Sequence, residues 1–205
     1  IARYEFEQDV TDSWGSNDGT DNTIAGYADG VYGKAKSFDG SEDYVEIFNL
    51  NSSKVDITVS SWFRADNLQS IRQIVGSRDG NSDEFNIYVD SNGEVNFFTY
   101  DGTKYGVESV GKIITGDWYH IVGTYSTSNG YRVYINGKLK GSDSTTTFVT
   151  NSLEDVIGAR NDSSVNRHHS GQIDDVRIYD KALTPSEVEQ LYNKGAYRIN
   201  RSDTV

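Results

Sequence analysis

The stretch G116-DWYHIVGTYSTSNGYRVYINGKLK-G141 decides the fold. Trp118, His120 and Val122 fall on one side of an extended chain, and Tyr119, Ile121 and Tyr125 on the other, the two-residue alternation of a β-strand. Asn136-Gly137 then sits between two alternating runs. That pair is a strong hairpin signal, because a tight turn between twisted strands needs positive φ. The same device recurs upstream in V89-DSNGE-V95, at Asn92-Gly93. Between the two hairpin turns lies the strand of residues 116–126.

Working outward, further strands are expected at 3–7, 35–38, 44–48, 71–76, 84–90, 94–100, 155–158 and 172–179. Ile57–Ala65 alternates Ile57, Val59, Ser61 and Phe63 against Thr58, Ser60, Trp62 and Arg64. One helix is legible in L183-TPSEVEQLYNK-G195. Thr184 is its N-cap, Pro185 takes the first helical position and Glu187 completes a capping box. Val188, Leu191 and Tyr192 give the apolar stripe, and Gly195 is expected to close the helix. The sum is an all-β, two-sheet antiparallel jelly-roll sandwich with one short C-terminal helix. One domain is expected over 1–195, with 196–205 a polar tail or linker.

Composition agrees. The 205 residues include 20 Gly, 14 Tyr and a single Pro, a mix suited to short strands and tight turns. Only 35% of residues are hydrophobic, but large aromatics bury much area per residue. The net charge of −12 repels nucleic acid and anionic membrane surfaces. It is consistent with solubility or with cation binding. With no cysteine there are no disulfides, thiolate metal sites or thiol nucleophiles. No apolar run reaches the ~18 residues of a membrane span. The chain opens at Ile1, not Met, which points to a fragment of a larger polypeptide.

Y4-EF-E7, D12-SWGSNDG-T20, G30-VYGKAKSFDGSEDYVE-I47, I57-TVSSWFRAD-N67, F85-NIYVDSNGEVN-F97, T115-GDWYHIVGTY-S126, Y131-RVYINGK-L139 and G171-QIDDVRIYDKALTPSEVEQL-Y192 occur in order. The series resembles the laminin G-like domains of the concanavalin A-like superfamily, in the variety common on bacterial and archaeal surface proteins. The resemblance implies a jelly roll, often one structural calcium, carbohydrate or protein binding, and an extracellular or cell-surface setting. It nominates Asp39 and Asp174 as carboxylate ligands, with Asn17, Gly19 and Ser41 adding oxygens. Calcium takes six to eight oxygens, and Asp- and Gly-rich turns supply them. Asp18 and Asp43 read as turn caps, and Asp79, Asn81, Asp83 and Glu84 as a solvated loop.

Catalytic patterns are missing. There is no E-x-D-x-E strand of a retaining glycosidase, no G-x-S-x-G elbow and no phosphate loop. His120 reads as a packed strand residue. His168 and His169 face opposite sides and cannot chelate one ion together. Candidate sugar contacts are the aromatic residues Trp14, Tyr100 and Tyr105, with Arg160, Arg167 and His168 as polar partners; Arg78, Asn161 and Asn166 could assist. The expected function is a non-catalytic, calcium-stabilised carbohydrate-binding or adhesion module with a glycan or cell-surface ligand. Alternatives are a protein-interaction or spacer module, and a diverged polysaccharide hydrolase or lyase.

Overall fold

The computed structural model describes residues 1–47, 56–77, 83–150, 154–162 and 165–202. In chain order its elements are β1 (Ala2–Tyr4), β2 (Thr20–Asn22), β3 (Tyr27–Asp29), β4 (Lys34–Asp39), β5 (Tyr44–Ile47), β6 (Ile57–Ala65), β7 (Arg72–Ser77), β8 (Asp83–Val89) and β9 (Val95–Tyr100). They continue with β10 (Lys104–Glu108), β11 (Trp118–Ser126), β12 (Gly130–Ile135), β13 (Lys138–Asp143), β14 (Asp155–Ile157), β15 (Asn161–Asp162), β16 (Val165–Asn166), β17 (Ser170–Tyr179) and α1 (Pro185–Ser202).

Two antiparallel sheets form a jelly-roll sandwich. The first runs β13-β12-β11-β6-β17-β4-β3, with β1 also paired to β17. The second runs β10-β9-β8-β7-β14-β5-β2. Their inner faces share one core, with Val59, Phe63, Ile121, Tyr125 and Val133 from the first sheet meeting Val45, Phe85, Ile87, Phe97 and Ile157 from the second. The outer face of the first sheet has a smaller core of its own, where Val122 and Tyr134 pack against Leu183 and Val188 of the helical segment. Strands β6 and β11 are therefore buried on both faces, and Trp62 and His120 lie under α1.

Both Asn-Gly turns form, by different geometries. Asn136 and Gly137 have φ of 50° and 74°, and Ile135 pairs directly with Lys138, a two-residue loop with both φ positive. At Asn92-Gly93 only Gly93 is positive, at 84°, and Asp90 N donates to Glu94 O across a three-residue loop. The capping box also forms: Glu187 N donates to Thr184 Oγ1 (3.3 Å) and Thr184 N to Glu187 Oε2 (2.8 Å).

The helix end requires a correction. Gly195 does not close α1, which continues to Ser202 through the residues expected to be a polar tail. A Cβ at position 195 would lie 2.4 Å from the Trp62 ring, so this glycine marks a close helix–sheet approach and not a C-cap. Among the described residues no helix is long and apolar enough to cross a membrane.

Candidate functional site

The outer face of the second sheet is built of polar and aromatic side chains. Phe85, Ile87 and Val89 of β8 point to the core, as do Val95 and Phe97 of β9. Their alternates, Asn86 and Tyr88, and Asn96, Phe98 and Tyr100, therefore take the outer side. Gln73 Nε2 donates to Asn86 Oδ1 (2.7 Å), and Lys104 Nζ donates to Asn96 Oδ1 (2.6 Å) while lying 5.0 Å from the Phe98 ring centre. Tyr88 meets Phe98 edge to face at 5.6 Å. Burial pushes the Tyr88 phenol up and the Lys104 ammonium down from their ordinary values.

At the β14–β5–β2 end this face opens into a cavity of about 400 Å³. Val156 and Ala159 form its apolar floor, and Asn22, Glu42, Tyr44 and His168 supply polar and aromatic walls. Asp43 braces the wall from behind. Fully buried, it accepts hydrogen bonds from the backbone N–H of Ile24 (2.6 Å), Ala25 (3.3 Å) and Asp39 (3.0 Å). It is thus the turn-capping residue its sequence setting suggested. His168 Nδ1 lies 3.2 Å from the Asp43 carbonyl, which places its proton there. Arg72 donates to the His168 carbonyl (2.9 Å) and so fixes the segment that carries the ring.

The structure sorts the expected sugar contacts. His168 lines the cavity. Tyr100 belongs to the outer face, and Arg160 and Arg167 stand close enough for their charges to act on Tyr88. Tyr105 does not join them: it packs against the main core, as its alternation with Lys104 requires. Trp14 is elsewhere, edge-on to Tyr179 at 5.3 Å and 5.8 Å from the Arg177 guanidinium, on the first sheet's side. It is nonetheless 46% exposed. The side chains of Asn161 and Asn166 and the whole of Arg78, Asp79 and Asn81 lie outside the described residues, as do the side chains of Asp83 and Glu84.

The expected calcium ligands are not brought together. Asp39 pairs with Ser170, and Asp174 lies four residues further along β17, about 13 Å away at ~3.3 Å per residue. Asp39 closes its own turn, accepting from Ser41 N and Oγ (both 2.8 Å), so Ser41 is spent on Asp39. Asn17 and Gly19 belong to a loop organised around Asp12, whose carboxylate accepts from Arg3 N, Trp14 N and Asn17 N. Asp174 is different. Its Oδ2 accepts from Val31 N (2.7 Å) and Tyr32 N (2.8 Å), while Oδ1 is buried without a partner among the described residues. Burial pushes its carboxyl up to about 8. A buried, half-satisfied carboxylate fits a cation; a carboxylate already closing an exposed turn does not. Glu7 accepts from Lys34 N at the other end of the same Gly30–Lys34 turn.

Sequence reasoning also missed a group formed by the hairpin. Asp90, Glu94 and Glu108 bring carboxylate oxygens within 4.8 Å of one another. Only the pairing of β9 with β10 joins them, so no linear spacing could have shown it.

A laminin G-type family model, described as the concanavalin A-like lectin/glucanases superfamily, matches residues 39–189, and the chain belongs to that superfamily. Domain 4 of AbnA, an extracellular GH43 arabinanase of Geobacillus stearothermophilus solved with arabinotriose, is 27% identical. It superposes with a TM-score of 0.80 over 93% of this chain and 97% of that one. The binding domain of Paraclostridial Mosquitocidal Protein 1 shares the fold at 19% identity and a TM-score of 0.78, over 94% of this chain and 51% of that one. Human Adhesion G-protein coupled receptor D1 is 29% identical over 79 residues, which is 37% of this chain and 9% of the receptor.

Proposed function

We propose that the chain is a non-catalytic glycan-binding module whose site is the outer face of the second sheet, centred on the cavity beside Tyr44 and His168. The observation that carries this reading is that cavity: an apolar floor, an aromatic ring and an amide, a carboxylate and an imidazole on its walls. Sugar rings present just that combination of apolar faces and hydroxyls, and such a pocket can bind without chemistry. Of the two acids at the cavity, Asp43 is committed to three backbone N–H groups. That leaves Glu42 without the opposed second carboxylate a glycosidase uses. The likeness to an arabinanase domain solved with arabinotriose supports the ligand class. A cell-surface or extracellular setting and a place in a larger polypeptide go with this reading, as does a calcium ion held by Asp174. The ion would supply charge compensation and a clamp on the Gly30–Lys34 turn.

Titration calorimetry against neutral oligosaccharides, arabinotriose first, tests the site. Tyr44→Ala and His168→Ala are each expected to weaken binding about tenfold, or roughly 1.4 kcal/mol, with the melting temperature held. Silence across a glycan array, or release of reducing ends from any polysaccharide by the isolated chain, would overturn the reading.

A further inference from the structure

A second cavity, of about 440 Å³, lies at the other end of the molecule, where the β12–β13 turn meets the segment before β11 and the middle of α1. Lys112, Lys138 and Lys140 converge on it from two separate segments, beside Tyr192 and the rim of Tyr119, whose ring turns to Phe63 and the main core. Among the described residues none of the three lysines has an ion pair. On a chain of net charge −12, three uncompensated ammonium groups around one cavity run against the whole surface.

Lysines on an edge strand commonly guard it from pairing with another chain. That does not account for this arrangement. The edge is already engaged, since Val110 N donates to the Lys140 carbonyl (2.8 Å), and Lys112 is not on the edge at all. The cavity is also firmly framed. Asn136 exchanges backbone and side-chain hydrogen bonds with His120 (2.8 and 2.9 Å), Tyr119 Oη accepts from Ile114 N (3.4 Å), and Tyr192 stacks on Trp62 at 5.8 Å.

We propose that this cavity binds an acidic sugar residue, its carboxylate or sulfate held by Lys112, Lys138 and Lys140 and its ring set against Tyr192. The ammonium groups select an anion, and the Tyr192 wall selects a ring that carries it. The surrounding field sets the limit. A densely charged polyanion meets repulsion from the rest of the surface, whereas a single anionic residue in an otherwise neutral chain meets chiefly the three lysines within a Debye length of about 8–10 Å, with Glu189 beside Gly137 and Glu108 beside Gly141 the acids on adjoining elements. The same field disfavours an acidic peptide, which would have to bring several charges to the surface.

The test is a panel of uronate- and sulfate-bearing oligosaccharides, each with its methyl-esterified or desulfated counterpart, followed by heteronuclear NMR and calorimetry. Binding is expected to perturb the amides of residues 111–112, 135–140 and 192, and not those lining the Tyr44 cavity. Each of Lys112→Gln, Lys138→Gln and Lys140→Gln should weaken it about threefold and the triple variant on the order of 30-fold, as for partly exposed charge pairs. Lys181→Gln, which removes a lysine already paired with Glu187 (2.6 Å), should change nothing. Lysine cavities that merely protect an edge would give none of this. Equal binding of the uncharged counterparts, tighter binding of a Glu-rich decapeptide, or no binding by any panel member up to about 10 mM would each overturn the proposal.

Discussion

A single hydrogen atom decides how α1 sits. Gly195 reads in sequence as a helix terminator, because glycine after an apolar stripe commonly takes the left-handed cap. Its real constraint is non-local: the indole of Trp62, more than a hundred residues earlier, occupies the space a Cβ would need, at 2.4–2.7 Å. Trp62 is itself fully buried, so it cannot swing away. Gly195→Ala should therefore destabilise the domain although alanine is the better helix former. The strain of overpacking, about 1–3 kcal/mol, exceeds the ~1 kcal/mol propensity gain. A urea midpoint that rises in Gly195→Ala would refute this packing. Asp39 and Asp174 teach the same lesson. Their residue types suit a cation equally well, and only the register of β4 on β17 separates them.

Elements with local causes were legible in the sequence. The two Asn-Gly turns, the Thr184–Glu187 capping box and the two-faced alternation of β6 and β11 each rest on contacts within a few residues, and each forms. Elements made by partners were not. Strands β2 and β3 are three residues each and depend on pairing with β5 and β4. The Gly30–Lys34 turn is likewise made from outside, by Asp174 and Glu7. The proposed calcium acts on that turn. Chelation should lower the melting temperature, with linkage worth roughly 2.7 kcal/mol at an ion concentration ~100-fold above the dissociation constant. Asp174→Asn should abolish the response, whereas Asp39→Ala should leave it intact, since Asp39 serves a different turn. Loss of the calcium effect in Asp39→Ala, or its survival in Asp174→Asn, would place the ion elsewhere.

At the scale of the whole molecule, the buried titratable groups set how stability follows pH. His120 and His169 are both buried, on opposite sides of the first sheet. His120 lies under α1, with Nε2 2.9 Å from Ser60 Oγ, and His169 lies against Phe38 and Phe63. Burial pulls them from the ordinary 6.5 down to about 3 and about 4. The unfolded chain thus takes up two protons near pH 6.5 that the folded one refuses until far lower. Their contribution is complete above pH 6.5 and is lost as pH falls toward 4, each at up to about 1.4 kcal/mol per pH unit. Asp174 acts in the opposite sense. With its folded value raised to about 8, its contribution is complete below pH 4 and is lost as pH rises toward 8. In chelator, between about pH 4.5 and 6.5, two histidines against one aspartate leave a net slope of about one proton. Carboxylates held low, such as Asp12 and Asp39, titrate below that window. Urea midpoints across it should therefore fall with acidification in the wild type, flatten in His120→Gln, and steepen about twofold in Asp174→Asn. The slope is the readout, so a general loss of stability in a variant does not obscure it. A wild-type profile that stays level while His120→Gln and Asp174→Asn also stay level would show that neither group is held away from its ordinary value, and that the space around both is open to water.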